Sequence, residues 1–184
     1  MRSLALWLGL ILGGALLGQG SYLDAKAWLA QVLIAKSWSK QTASSEPAKP
    51  WPWMDAHVIA KLSFPKQQEV RFVMNSSSGQ ALAFGPGHLE NTSLPTDDGH
   101  SMIAGHRDSH FGTLQHTELG DIIEAEDFTG TRVRYRVVEI EILDTRQSDL
   151  QMTDANMLSL ITCYPFDEWA PGGPLRYVVN AERL

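Results

Sequence analysis

The sequence predicts a mostly β domain of eight short strands, closed or nearly closed into a barrel, behind an N-terminal helix. Three observations carry that reading. Short segments of alternating polarity recur between turn-forming residues from His57 onward. Helical spacing is confined to the chain ahead of Gln41. The segments between strands are long and polar, as in small barrels with few helices.

The elements follow in order. Leu4 to Gly18 is an uncharged apolar run that tails off through Gln19 and Gly20. Its 17 residues from Leu4 to Gly20 span about 25 Å as a helix, slightly short of a ~30 Å hydrocarbon core. The run reads either as a cleaved signal peptide, with Gly18 and Gly20 before the cut, or as a retained signal anchor. The anchor is favoured, because apolar residues continue beyond it. Lys26, Lys36 and Lys40 lie just past the span, so charge gives little guide to orientation. Asp24–Lys40 has helical spacing, with Leu29, Val32, Leu33 and Lys36 on one face.

From Gln41 to Trp53, Pro47, Pro50 and Pro52 exclude helix and central strand, so the segment is a linker. Trp51 and Trp53 either pack on the domain or rest at a bilayer interface. The chain thus divides into an anchor (1–22), a juxtamembrane helix with linker (23–52) and a globular domain (53–184).

Within that domain, His57–Phe64 and Glu69–Asn75 alternate as strands around the turn Pro65–Gln68. Asn75–Gly79 is polar and turn-like, and Gly85-Pro86-Gly87 reads as a strong breaker. Ser101–Ala104 and Ile122–Ala125 are short strands. Thr131–Leu143 is long; Val133, Tyr135 and Val137 share one parity while Ile140 and Ile142 share the other, which predicts a bulge near Val138–Glu139. Met157–Thr162 and Leu175–Asn180 complete the strands that alternation places.

Composition narrows the function. Apolar residues make up 43% of the 184 residues, enough for a substantial core. A net charge of −6 provides no basic field for a phosphate backbone, which argues against nucleic acid as a partner. The single cysteine, Cys163, rules out an intramolecular disulfide and a cysteine-rich zinc site. It is either a small buried hydrophobe or a reactive thiol.

Its neighbours favour reactivity. A strand ends just before His106, in Ala104-Gly105-His106-Arg107-Asp108. Another ends at Cys163, in Ser159-Leu160-Ile161-Thr162-Cys163, and a third begins around Arg176, in Pro174-Leu175-Arg176-Tyr177. A thiolate is the nucleophilic form of cysteine, and an imidazole carries protons near neutral pH. A guanidinium stays charged and offers several donors to a developing oxyanion. Strand ends hold such groups firmly while exposing them at a rim.

The order His, Cys, Arg resembles the sortase family, whose signature is Thr-Leu-x-Thr-Cys followed by a strand bearing arginine. Leu160, Thr162 and Cys163 match, and Ser159 stands in place of the first threonine. The run from Cys163-Tyr164-Pro165-Phe166-Asp167 to Gly172-Gly173-Pro174-Leu175-Arg176 looks most like sortases of Gram-negative bacteria, and the similarity covers about residues 55–184. The resemblance implies an eight-stranded β-barrel and a cysteine transpeptidase that cleaves a C-terminal Leu-Pro-x-Thr-Gly-like sorting signal. Cys163 is then the nucleophile, His106 the general acid and base, and Arg176 the oxyanion partner. Ala104 and Thr162 are expected to touch substrate. The expected partners are a protein bearing the sorting signal and an amine acceptor, without cofactor or metal. The expected location is the inner membrane, crossed once, with the catalytic domain outside the cytoplasm.

Two alternatives stay open: a cysteine hydrolase on the same scaffold, and a membrane-anchored binding module with an inert thiol. A papain-like protease is disfavoured because His106 precedes Cys163, and an L,D-transpeptidase because of the arginine context. His57, His88, His100, His110 and His116 lack comparable surroundings. Arg132, Arg134 and Arg136 read as a solvated strand face paired with Glu124, Glu139 or Glu141. Asp97, Asp98 and Asp108 match no defined calcium loop. The Tyr164–Pro174 loop, with Trp169 and Pro171, is expected to border the substrate groove.

Overall fold

The computed structural model describes residues 22, 25–168 and 172–184. The apolar run of residues 4–20, and Trp169 and Pro171, lie outside them. Among the described residues no helix is long and apolar enough to cross a membrane.

A helix, α1, covers residues 25–44. It is followed by β1 (Val58–Phe64), β2 (Glu69–Met74), the one-turn helix α2 (Gly79–Leu82) and β3 (Gly87–His88). Then come β4 (His100–Ala104), a 3-10 turn (Gly112–His116), β5 (Ile122–Asp127), β6 (Arg132–Asp144), β7 (Met157–Cys163) and β8 (Leu175–Arg183). The strands close into a barrel in the order β1-β2-β3-β4-β7-β8-β6-β5.

Alternation places seven of these strands. The eighth, β3, lies where Gly85–Gly87 read as a breaker. It is only two residues long, yet it bridges β2 and β4 and completes the barrel. Gly87 is required there: a Cβ would sit 2.4 Å from the Ser76 carbonyl oxygen and 2.8 Å from Ser77 Cα. The bulge in β6 falls between Val137 and Glu139, as the parity change predicts.

The interior is filled by Leu62, Phe64, Ile103, Phe111, Tyr135 and Leu160, with others, all essentially inaccessible. Tyr135 satisfies its buried hydroxyl by donating to the Pro95 carbonyl at 2.9 Å. A second cluster joins Ile34 and Trp38 of α1 to Met54, Val58 and Met74. The face of α1 that packs differs from the one its spacing suggested. Ala30, Ile34, Trp38 and Gln41 are buried, whereas Leu29 and Val32 are exposed. Gln41 explains the choice, because its amide donates to the Val58 carbonyl at 2.8 Å. The barrel therefore selects a mixed stripe over the most apolar one. Trp51 packs edge-on against Phe84, and Trp53 faces solvent.

The arginine stripe on β6 is a solvated face, and of its three expected partners Glu124 is in place. Arg132 pairs with Glu126, Arg134 with Glu124 and Arg136 with Glu182. Glu139 and Glu141 instead accept from Asn180.

Candidate active site

β4 and β7 run parallel, with Ala104 opposite Ile161, so the two chain segments leave the sheet at the same end. His106 follows Ala104 by two residues, as Cys163 follows Ile161. Adjacent strands lie about 4.8 Å apart, which brings the two segments to neighbouring points on the rim. β8 returns antiparallel on the other side of β7, and Arg176 is the direct register partner of Cys163. Three residues distant in sequence are thus aligned by sheet register.

Their mounting is rigid. Gly105 donates its N–H to the Ile161 carbonyl at 3.0 Å, and its own carbonyl accepts from Thr162 Oγ1 at 2.8 Å. The residue before the histidine is therefore fastened on both sides to the strand that bears the cysteine. Gly105 has no room for a side chain: a Cβ would lie 2.7 Å from the ring of Phe111, which is fully buried. The His106 carbonyl accepts from Phe111 N–H at 2.9 Å, closing the turn that follows. Arg107 donates to the Glu168 carbonyl, linking the histidine loop to the chain beyond the cysteine.

The three side chains at the rim are at least partly accessible. Cys163 is half-buried and unpaired, and His106 is exposed. Arg176 is half-buried and donates one nitrogen, Nη1, to the carbonyls of Gly173 and Leu175 at 2.6 and 2.9 Å. Among the described residues it has no carboxylate partner, so its charge is not neutralised locally. Tyr164, Phe166 and Tyr177 pack ring against ring beside Cys163 and seal that end of the core.

Behind the rim, the outward face of β4, β7 and β8 forms a groove. Met102, Ile161 and Val178 make an apolar cluster with Leu89, Leu143 and Leu150. A recess of about 430 Å³ continues along it to His100, Ser159 and Asn180. Ala104 stands on the same outward face, half-buried, opposite Ile161. Thr162 does not: it is 2% exposed and its hydroxyl is engaged by Gly105. The alternation of the strand turns Thr162 inward, so its placement is that of a positioning residue beneath the strand end that bears Cys163.

His100 is a residue the sequence left without context. It is 4% exposed and bonded at both ring nitrogens, to Thr153 N–H and Ser159 Oγ. Its parity with Met102 and Ala104 along β4 is the signal that places it on the groove face. Among the described residues no cluster of three His, Cys, Asp or Glu side chains is arranged to hold a metal ion.

Comparison with known proteins agrees with this geometry. A sequence model of the sortase domain matches residues 62–184. Sortase D of Bacillus subtilis strain 168 is 28% identical over 127 residues, covering 67% of this chain. The chain spans 62% of that relative's length. Sortase C1 of Streptococcus suis superposes with a TM-score of 0.60 at 25% identity, covering 69% of this chain and 73% of its own. A sortase D5 transpeptidase of Clostridium perfringens has the same fold, with a TM-score of 0.63 at 22% identity over 84% of this chain and 96% of its own. Sortase C of Clostridium perfringens, solved with a C-terminal cell wall sorting motif, gives 0.61 at 22% identity over 88% and 90%.

Proposed function

The chain belongs to the sortase family, and from that premise we propose that it is a cysteine transpeptidase acting at Cys163, His106 and Arg176. The observation that carries the proposal is the register of the three strand ends: Cys163 faces Arg176 across β7 and β8, and β4 delivers His106 to the same rim.

In the proposed reaction, Cys163 Sγ attacks the carbonyl carbon of the scissile peptide bond as a thiolate. The carbonyl oxygen takes up negative charge, and the Arg176 donors not used by Gly173 and Leu175 stabilise it. As the C–N bond breaks, His106 gives its proton to the leaving amine, and a thioester remains on Cys163. An incoming amine then attacks the thioester carbon. His106 accepts its proton, and the thiolate leaves as the new amide forms.

The substrate class is a C-terminal Leu-Pro-x-Thr-Gly-like sorting signal. Its support is the recess on the outward face of β7 and β8, the face that bears Cys163, edged by the apolar Leu143 and Leu150, which suits apolar residues on the amino side of the cut. The loop from Tyr164 to Arg176 is similar to that of Gram-negative sortases, and we assign the chain to that type. Residues 1–22 serve as a single membrane anchor and 23–52 as a juxtamembrane segment. They hold the domain of residues 53–184 at the outer surface of the inner membrane.

Incubating the chain with Leu-Pro-x-Thr-Gly peptides, with x varied, tests the reading. Mass spectrometry is expected to find the peptide's amino-side fragment joined to Cys163, and added amines to appear in the product. An unmodified Cys163 across the whole set would overturn it. Release of free acid in the presence of amines would make the enzyme a hydrolase.

A further inference from the structure

We infer that His100 is a positioning residue that clasps the β6–β7 loop over the groove and thereby sets its grip on substrate; this rests on the function proposed above. The loop, residues 145–156, forms one wall of the groove and contributes Leu150 to the apolar cluster. Both of its ends are tied down. Thr145 donates through its N–H and its hydroxyl to the Pro174 carbonyl at 3.0 and 2.9 Å. Asn156 accepts from Gly99 N–H at 2.6 Å. Between them, from 149 to 155, one hydrogen bond reaches the barrel among the described residues: Thr153 N–H to His100 Nδ1, at 3.2 Å.

That bond fixes the histidine's tautomer and, through it, a directed chain. Because Nδ1 accepts, the ring proton sits on Nε2 and is donated to Ser159 Oγ at 2.7 Å. The Ser159 hydroxyl donates onward to Asn180 Oδ1 at 2.6 Å. The Asn180 amide then donates to Glu139 at 3.0 Å and Glu141 at 3.2 Å. His100 is 4% and Ser159 2% exposed, so each bond forms where an unmet polar group is costly. Ser159 lies four residues before Cys163 on β7, and Asn180 four after Arg176 on β8. The mid-span of the loop is thus moored to the two strands that carry the nucleophile and the guanidinium.

The departure from the family signature gains a meaning here. The hydroxyl of Ser159 accepts from the clasp and donates to the next strand, so it joins loop to sheet rather than supporting the thiol.

The test separates the two ring nitrogens in the full chain, using Leu-Pro-x-Thr-Gly peptides as probe. His100→Asn keeps an acceptor near the Nδ1 position, and His100→Gln keeps a donor near Nε2. The Gln variant is expected to raise KM about tenfold, the size of one hydrogen bond, while the acylation rate at saturating peptide stays within about twofold. Amide exchange over 149–155 should accelerate in parallel. The Asn variant should stay within about threefold of the parent in KM. Thr153→Pro, which removes the donor from the exposed loop side, should reproduce the Gln result and keeps the test valid if a His100 variant does not fold. An unchanged KM in Thr153→Pro, or equal effects of Asn and Gln, overturns the clasp. If the parent chain forms no acyl adduct, the functional reading falls and the substrate role of the clasp with it. Loop exchange in the variants then shows whether the mooring itself exists.

Discussion

Two histidines stand at opposite ends of the same strand, and they are used in opposite ways. His100 opens β4, is buried, and has both ring nitrogens engaged by the protein. His106 follows the end of β4, is exposed, and is held through its neighbours' backbone rather than through its ring. The same contrast extends across the sheet. At the His100 end, Ser159, Asn180, Glu139 and Glu141 satisfy one another. At the other, Cys163 is unpaired and Arg176 lacks a carboxylate partner among the described residues. Preorganised chemistry requires that geometry be fixed while reactive atoms stay available. The His106 end meets that requirement; the His100 end completes its own bonding and stabilises structure.

The largest expected effect would break the contrast at its source. Cys163→Ala should abolish the acyl adduct and lower peptide turnover by about 1000-fold or more, measured by product formation over hours. The melting temperature should change little, because Cys163 is only half-buried. Residual turnover close to the parent's would show that the unpaired sulfur is not the nucleophile.

Next comes the guanidinium. Arg176→Met should slow acylation by about 100- to 1000-fold, the cost of losing an oxyanion donor. Arg176→Lys should recover only a small part, since an ammonium cannot bond Gly173 and Leu175 while presenting a second donor in the same plane. Single-turnover rates at saturating peptide measure this. Full activity in the lysine variant would reduce Arg176 to a mere positive charge.

A smaller effect tests the mounting without altering a reacting atom. Gly105→Ala places a methyl 2.7 Å from the Phe111 ring, so either the ring or the strand end must move. Displacing His106 by about 1 Å should cost roughly 100-fold in acylation. The buried Phe111 also couples the change to stability, so the melting temperature should fall. Thiol alkylation of Cys163 should persist, which distinguishes a shifted histidine from an unfolded chain.

Much of this was legible in the sequence, and the failures are instructive. The rim residues were legible because chemistry restricts them: a sole cysteine, a histidine after a strand and an arginine opening another have few common explanations. The β6 bulge was legible because a change of parity is local. β3 was not, since two residues cannot display alternation and Gly87 is chosen for the close passage of Ser76 and Ser77. The packed face of α1 was misread because Gln41 bonds a barrel carbonyl, a tertiary fact that apolar spacing cannot carry. His100 escaped for the same reason. Its partners, Thr153 and Ser159, are more than fifty residues away in the chain, and no spacing rule links them.

The smallest predicted effect sharpens the contrast through pH. Burial lowers the proton affinity of His57, His100 and His110 below the usual histidine value of 6.5. For His57 and His110, nearby cations on Lys49 and Arg71 act in the same direction. An unfolded chain would therefore take up protons first as acid is added. The stability these neutral rings contribute is fully present above about pH 6.5 and is lost as pH falls through their lower folded values. The melting temperature should therefore decline between pH 7.5 and 5. His100→Asn, which cannot titrate there, should flatten that decline. An equal slope in the parent and in His100→Asn would show that the buried end of β4 does not carry the desolvation its burial implies.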